Sequence, residues 1–292
     1  MTGRWLGIDF SGDAEMWRAR RRSSNIWIAD IRQQADQFVL NSLAPIQELA
    51  AEAQSPFDWL AEQLSSGDYW AAAIDAPFSV PEQFVPGGSH SRLLEYVGGA
   101  PLPPGRPFLS GMDFVQRVTG QERLFPPKPL RRTEQIWERQ RVNVRSTLWS
   151  GPRGGAQMTA ACVRLLYLSQ RPIWPWSERH QPGLLVEAFP AAQLKAWGLP
   201  YQQYGDKSRT AIGLRKRIIE ELRKRVEFAE VLAQRMQESP DALDAVLSGF
   251  AGIAATTGTL AHNPEPQAQS EGWIAIDGRT GVRMQQQMFL GE

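Results

Sequence analysis

The sequence contains few of the residues that build disulfides and zinc sites. One of its 292 residues is cysteine, Cys162, and three are histidine, His90, His180 and His262. A single cysteine can form neither a disulfide within the chain nor a cysteine-based metal cluster. Because the histidines are scattered along the sequence, a histidine-rich zinc site is not expected either. Cys162 falls at an apolar position of a predicted helix, so we expect it in the core.

The sequence also has no large excess of charge of either sign and no long apolar run. Lys and Arg number 32 against 31 Asp and Glu, which leaves a net charge of +1. The overall field therefore indicates neither a nucleic acid nor a membrane, although a local basic patch stays compatible with it. No stretch approaches about 18 uninterrupted apolar residues, and the N-terminus has no basic region followed by an apolar run. We expect a cytoplasmic protein with no membrane partner.

The general composition is that of an ordinary globular protein, with 42% hydrophobic and 22% charged residues. We predict a single domain over residues 1–292. Residues 78–130 are rich in proline and glycine, as in Pro101-Leu102-Pro103-Pro104-Gly105. They predict an irregular insertion or lid rather than a second hydrophobic core, and the helical material that follows extends this insertion over residues 78–182.

A carboxylate interrupts the first predicted strand. Residues 4–10 have the apolar composition of a strand buried on both faces, and Asp9 lies within that run, just before the turn at Ser11-Gly12-Asp13. A buried charge costs several kcal/mol unless a cation, a hydrogen-bond network or a metal compensates it. Asp9 therefore either starts the turn or faces a site.

The same arrangement recurs twice further along the chain. An apolar strand over residues 69–76 bears Asp75 at its end, and another over residues 184–189 bears Glu187. Each is closed by a proline, which stops strand pairing. This repetition is the first evidence that Asp9 belongs to a site.

A helix rich in small residues carries two more acids. Ser239 fits its N-cap and Pro240 its first helical position, and the small residues over 245–254 suit close packing on a sheet. Asp241 and Asp244 are three residues apart and so share one helical face. Asp241 could be a ligand, a base outside the metal ligands, or a charge favoured at the start of a helix.

The remaining elements follow from periodicity. Strands over residues 15–20 and 25–30 would complete an antiparallel meander with the first strand. Helical spacing predicts a helix from Pro45 to Leu64, which Pro56 kinks or divides. The later predicted segments are helices over 155–169, 191–197 and 207–236 and a short strand over 271–276.

Each acid also has a structural explanation. Asp75 suits an ordinary strand-to-turn position, and Asp241 suits the first turn of a helix. Glu187 lies within an apolar strand and is explained structurally only if it pairs with a buried arginine. Since the acids belong to separate elements, a shared site explains them better jointly than separate structural roles do.

Five short motifs follow one another along nearly the whole chain. They are Gly7-Ile8-Asp9, Ile74-Asp75-Ala76-Pro77, Val186-Glu187-Ala188-Phe189-Pro190, Asp241-Ala242-Leu243-Asp244-Ala245 and Glu271-Gly272-Trp273. In this order they resemble the motifs of an uncharacterised domain family of predicted RNase H-like nucleases. The resemblance implies an α/β RNase H-like fold with a mixed five-stranded sheet, the element order βββαβ-α-β-α, and carboxylates gathered at neighbouring strand ends.

The implied function is that of a divalent-metal-dependent nuclease. Phosphodiester cleavage by two metal ions needs several carboxylates that converge on cations about 3.5–4 Å apart. Mg²⁺, or Mn²⁺ in its place, prefers oxygen ligands, which Asp and Glu supply without His or Cys. By resemblance, Asp9 is the bridging ligand, and Asp75, Glu187 and Asp244 complete the metal site. Asp241 is a further candidate catalytic residue, with the alternatives given above.

A basic segment of the insertion predicts a nucleic-acid-binding surface. Its cations, which have few acids nearby in sequence, are Arg131, Arg132, Arg139, Arg141 and Arg145. Trp137 and Trp149 are interleaved as stacking platforms. A solvated surface without a ligand is the alternative. The basic run over 207–225 is balanced by acids, and we expect it to be a solvated helix face.

Two other functions are compatible with the sequence. An ATP-using protein of the actin-like kinase class shares an RNase H-like core, but such chains usually duplicate that core and carry glycine-rich phosphate loops. Here Ser11-Gly12-Asp13 is a poor phosphate cradle. A catalytically silent binding module would instead present the proline-rich insertion to a protein partner.

Overall fold

A five-stranded mixed sheet organises the protein. The computed structural model describes residues 3–19, 21, 24–50, 54–122, 124, 128–151 and 154–279. The strands are β1 (Arg4–Asp9), β2 (Trp27–Gln34), β3 (Gln37–Pro45), β4 (Ala71–Asp75) and β5 (Leu184–Glu187). Their order across the sheet is β3-β2-β1-β4-β5. Pairing is antiparallel between β3, β2 and β1 and parallel between β1, β4 and β5. The predicted α/β class and the five-stranded mixed sheet are confirmed.

Helices surround this sheet. In chain order they are α1 (Ile46–Leu49), α2 (Pro56–Ser66), α3 (His90–Leu93), α4 (Gly111–Thr119), α5 (Arg132–Arg139), α6 (Ala156–Ser169), α7 (Pro190–Ala196), α8 (Arg209–Leu222), α9 (Glu230–Glu238), α10 (Pro240–Thr257) and α11 (Ala268–Glu271). Short 3₁₀ turns cover Ala14–Trp17, Glu82–Phe84 and Pro86–Gly88, and a π turn covers Leu94–Gly98. Across the described part of the chain, no helix has the length and apolarity needed to cross a membrane.

The two faces of the sheet are buried by different helices. Trp5, Ala71 and Ala73 lie on one face and belong to a core built largely by α10. Leu6 and Ile8 lie on the other face and pack in a core with residues of α2 and α6. Successive residues of a strand point to opposite faces, so the near-continuous apolar character of β1 follows from burial on both sides.

Helix α10 lies very close to β1. A Cβ placed on Gly7 would be 2.0 Å from the carbonyl oxygen of Ala245 and 2.5 Å from the backbone nitrogen of Gly249. No side chain fits at this crossing, so glycine is required where strand and helix meet. The predicted role of small residues in this helix is thereby confirmed.

Several predicted elements differ from those observed. The strand predicted over 15–20 is wrong where it is described, because the Asp13 side chain accepts from the Glu15 N–H at 3.0 Å and starts a 3₁₀ turn instead. The sequence did not predict β3, although the strand predicted over 25–30 corresponds to β2. Residues 271–276 do not form a strand, because Glu271 ends α11 and Ile274 makes one isolated bridge, with Glu187.

The long basic helix predicted over 207–236 is two helices, α8 and α9. Between them, the Glu227 N–H donates to the Phe38 carbonyl and the Leu40 N–H donates to the Glu227 carbonyl, each at 2.8 Å. The chain leaves the helix here because its backbone pairs with the edge strand β3. The division of the earlier helix at Pro56 is confirmed, since α2 begins there.

The insertion over residues 78–182 has a core of its own, contrary to the prediction. Val80, Leu93, Phe114 and Val163 are each fully buried in one apolar cluster. Helix α6 contributes to this cluster on one side and to the sheet core, through Cys162, on the other. The insertion is therefore tied to the sheet by a shared helix.

We predict that Gly7→Ala destabilises the protein by about 3 kcal/mol or more, because the added methyl group forces β1 and α10 apart. Gly213→Ala is the matched control, since Gly213 is in α8 and a Cβ there meets nothing within 4 Å. That change should stabilise by about 0.5–1 kcal/mol. Chemical denaturation measures both, and equal stability of the two variants would contradict the close packing.

Candidate metal centre

Three aspartates converge at the carboxyl end of the parallel strands. Asp9 ends β1 and Asp75 ends β4, and the two are paired in register across the strands. Asp244 reaches them from α10. One carboxylate oxygen from each of the three lies within 4.8 Å of one from each of the others. The structure thus brings together three of the four predicted metal ligands.

Helix α10 places its acids through its N-terminal geometry. The Ser239 hydroxyl accepts from the Ala242 N–H at 3.2 Å, and Pro240 is the first helical residue. The cap fixes where the helix begins, so Asp241 and Asp244 occupy its first two turns on one face. The close approach at Gly7 then holds that face over the end of β1.

Burial and mutual repulsion raise the pKa values of this acidic cluster. The pKa of Asp9 lies well above its usual value because of burial first and the charge of Asp244 second. The pKa of Asp244 is raised likewise, by burial and then by Asp75. Burial raises the pKa of Asp75 to about 7 and that of Asp241 to about 6. The cluster disfavours full ionisation unless a cation is present.

Tyr204 orients Asp244 and was not predicted from the sequence. Its hydroxyl donates to Asp244 Oδ1 at 2.8 Å. Arg215 in turn holds the loop of Tyr204, since its guanidinium donates to the carbonyls of Tyr204 and Asp206. Tyr204 is part of an irregular polar segment without periodicity, so no sequence signal marked it.

Glu187 does not join the three aspartates. It pairs in register with Ile74, whereas Asp9 pairs with Asp75, the next residue along β4. Since side chains alternate across a strand, Glu187 and Asp75 point to opposite faces of the sheet. Both oxygens of Glu187 instead accept from the guanidinium of Arg131, one of them at 2.8 Å. The prediction of Glu187 as a metal ligand is corrected to that of an ion-pair partner.

Arg131 is the centre of a buried ionic network rather than a surface residue. Its side chain is 1% exposed, and it also donates to Glu134 Oε1 from Nε at 3.1 Å and from Nη2 at 3.0 Å. Burial opposes its charge, but Glu187 and Glu134 outweigh burial and raise the pKa of Arg131. Desolvation raises the pKa of Glu134 to about 7. The guanidinium of Arg131 is thus bound to Glu187 and Glu134, and Glu187 has the buried arginine that would explain it.

The other four predicted nucleic-acid-binding arginines lie in different surroundings. Arg132 is half-buried and forms an ion pair with Glu265 at 2.6 Å. Arg139 and Arg141 are exposed and are not part of the wall of the aspartate cleft. Arg145 is exposed, lines that cleft and lowers the pKa of Asp75. Of these four arginines, Arg145 is the one that lies beside the acidic cluster.

The aspartates lie in a cleft of about 720 Å³. Its wall includes Asn25, Asn143, Arg145, Phe189 and Tyr201–Tyr204, and also Arg131, Glu134 and Glu187 of the buried ionic network. A cleft of this size matches ordinary small-ligand sites, which span about 300–1,000 Å³.

The donor set suits a hard divalent cation. Carboxylate oxygens are the ligands that Mg²⁺ and Mn²⁺ prefer, and three of them converge here. A cation at Asp9, Asp75 and Asp244 would also stabilise the ionised carboxylates, which burial and, for Asp9 and Asp244, neighbouring aspartates disfavour. The residues present therefore fit the predicted metal, with three aspartates rather than four carboxylates.

The chain belongs to the family described as Protein of unknown function (DUF429), whose model matches residues 55–269. That range includes Asp75, Glu187, Asp241 and Asp244, while Asp9 precedes it. No curated protein and no solved structure matches the chain.

We predict that Arg131→Met costs about 3–5 kcal/mol of stability, because it leaves Glu187 and Glu134 buried without a cation. Arg132→Met is the control. The Arg132 pair with Glu265 is 31% and 37% exposed, and such a pair contributes at most about 1 kcal/mol. Adding Glu187→Gln and Glu134→Gln to Arg131→Met should restore part of the loss. Denaturant midpoints measure these changes, and equal losses at positions 131 and 132 would contradict the network.

We also predict that Asp75→Asn raises the stability of the metal-free protein by an amount that depends on pH. The pKa of Asp75 is raised from 3.8 to about 7, so its contribution to stability, complete below pH 3.8, is lost as the pH rises through 7. Asp75→Asn has no such loss, so its stability advantage over wild type should grow as the pH rises above 3.8 and reach about 1–3 kcal/mol at pH 8. Melting in EDTA, with the exposed Asp58→Asn as control, measures this. A pH-independent difference would contradict it.

Proposed function

We propose that this member of the DUF429 family is a divalent-metal-dependent nuclease that hydrolyses phosphodiester bonds. The observation that carries the proposal is the convergence of Asp9, Asp75 and Asp244 within 4.8 Å in a cleft. Three converging aspartates with raised pKa values, of which Asp9 is buried and Asp75 and Asp244 are half-buried, are costly to maintain in a protein that does not bind a cation.

The arrangement of elements supports an RNase H-like architecture for this nuclease. The sheet is mixed, and its two central parallel strands, β1 and β4, end in aspartates side by side. A helix packed on one face of that sheet supplies Asp244. These are the features that the sequence motifs led us to expect, apart from the different role of Glu187.

The residues of the cluster and Tyr204 have different roles in this proposal. Asp9, at the end of β1, would hold the metal together with Asp75 and Asp244. Mg²⁺ or Mn²⁺ bound there would supply Lewis-acid stabilisation of the phosphate and lower the pKa of water. The Tyr204 hydroxyl keeps one oxygen of Asp244 in place.

Asp241 is the general base of this proposal. It neighbours the three ligands closely enough to raise the pKa values of Asp9 and Asp244. A carboxyl group with a pKa of about 6 accepts a proton from the attacking water near neutral pH. It stays outside the group of three whose oxygens lie within 4.8 Å of one another.

We predict that Mg²⁺ or Mn²⁺ raises the melting temperature of the wild-type protein by about 2–8 °C, and that Asp9→Asn abolishes the rise. Asp30→Asn is the control, because Asp30 is also buried but pairs with Arg4 and Arg32 away from the cluster. Glu187→Gln should lower stability yet keep the metal-induced rise, since Arg131 rather than the metal holds Glu187.

Cleavage assays complete the test. Wild type should cleave at least one member of a panel of single-stranded, duplex and hybrid nucleic acids when Mg²⁺ or Mn²⁺ is added, and Asp9→Asn should not. Stabilisation by nucleotides without cleavage would favour the actin-like kinase alternative. Absence of both metal binding and cleavage would leave the silent binding module.

A further inference from the structure

A second cavity opens beside the aspartate cleft. It encloses about 1080 Å³, and Arg145 and Met158 belong to the walls of both cavities. Asp9 lines the cleft and Gly12 lines the second cavity, which we term the arginine groove. Three residues of chain span at most about 11 Å, so the groove begins within a few nucleotides' length of the aspartates.

The charges of the arginine groove favour an anion. Its arginines are Arg18, Arg106, Arg145 and Arg164, and its acids are Asp13, Glu15 and Asp58. Among the described residues, Glu15 pairs with Arg18, and the Asp13 side chain caps the following turn. The guanidinium groups of Arg106, Arg145 and Arg164 have no carboxylate partner within that same part of the structure.

Arg145 occupies the junction of the two cavities. It is exposed, and its charge lowers the pKa of Asp75. An unpaired guanidinium beside carboxylates that bind a metal is suited to a phosphate next to the one that is cleaved, because it offers a planar fork of donors. Arg106, which lines the groove but not the cleft and is also exposed, suits a second phosphate.

The depth of the cleft selects against a duplex. Asp9 is 8% exposed, so a phosphate has to enter the cleft to reach it. The phosphates of a duplex lie on a wide, stiff cylinder, whereas a single strand bends and can place its bases against aromatic side chains. Tyr201 and Phe189 are half-buried in the cleft wall and provide such side chains.

We infer that the substrate is a single-stranded nucleic acid whose backbone runs from the aspartate cleft into the arginine groove, with Arg145 and Arg106 on successive phosphates. This inference rests on the proposed nuclease function and adds to it the class of substrate and its path. It also gives a role to Arg145, an exposed arginine predicted from the sequence that lines the aspartate cleft.

Binding in EDTA tests the path without requiring cleavage. We expect a labelled single strand of about 12 nucleotides, DNA or RNA, to bind the full chain at least tenfold more tightly than a duplex of the same sequence. Arg106→Gln and Arg145→Gln should each raise the Kd about five- to tenfold. Each should also reduce the slope of log K against log salt by about 0.7. Fluorescence anisotropy measures both quantities.

Arg217→Gln is the matched control, because Arg217 is an exposed arginine of α8 outside both cavities. Its Kd and salt slope should equal those of wild type. Tighter binding of the duplex, or groove variants that behave like Arg217→Gln, would overturn the inference.

A small diester separates this result from the proposed function. Bis(p-nitrophenyl) phosphate with Mn²⁺ reports on the aspartates without needing the groove. If the protein hydrolyses this diester but its binding of single strands does not depend on Arg106 and Arg145, the proposed function stands and the substrate path is wrong. If the protein binds single strands through Arg106 and Arg145 but cleaves no diester, the binding path stands and the proposed nuclease function is wrong.

Discussion

The convergence of Asp9, Asp75 and Asp244 is the constraint on which the other features of the site depend. Burial raises the pKa values of all three, and the charges of neighbouring aspartates raise those of Asp9 and Asp244 further. The protein tolerates this because strand register fixes two of the acids and helix α10 fixes the third. The crossing of β1 and α10 at Gly7 leaves room for no side chain, so the helix cannot withdraw Asp244 without losing its packing.

A buried cation stabilises the opposite face of the same sheet. Arg131 comes from the insertion and joins Glu187 of β5 to Glu134 of α5. Glu187 also accepts from the Phe78 N–H at 3.1 Å, where the insertion begins. Among the described residues, the three aspartates on one side of the sheet edge form no ion pair, whereas Glu187 on the other side is paired with Arg131. This contrast distinguishes the candidate metal site from the structural ion pair.

The sequence was sufficient to find the acids but not their partners. Asp9 and Asp75 stood out because each places a charge in an apolar strand, and Asp244 because a recognisable cap fixed the start of its helix. Glu187 carried the same strand signal. Its different role depends on a one-residue offset between β4 and β5, and sequence periodicity contains no information about register between strands.

Other features were inaccessible for related reasons. Tyr204 reaches Asp244 across 40 residues from an irregular segment, and the burial of Arg131 depends on contacts with distant residues. The edge strand β3 and the break between α8 and α9 arise together, because each backbone supplies hydrogen bonds to the other. Sequence pattern predicts the elements whose structure depends on neighbouring residues in the chain. Strand β3 and the break between α8 and α9 depend instead on pairing between distant segments.

The location of a bound metal tests the central claim most directly. Crystals grown or soaked with Mn²⁺ should show an anomalous difference peak within about 2.0–2.3 Å of oxygens of Asp9, Asp75 and Asp244, with Glu187 still bound to Arg131. A saturating concentration of Mn²⁺ that leaves no peak among these three aspartates, or a peak that recruits Glu187 away from Arg131, would contradict the account.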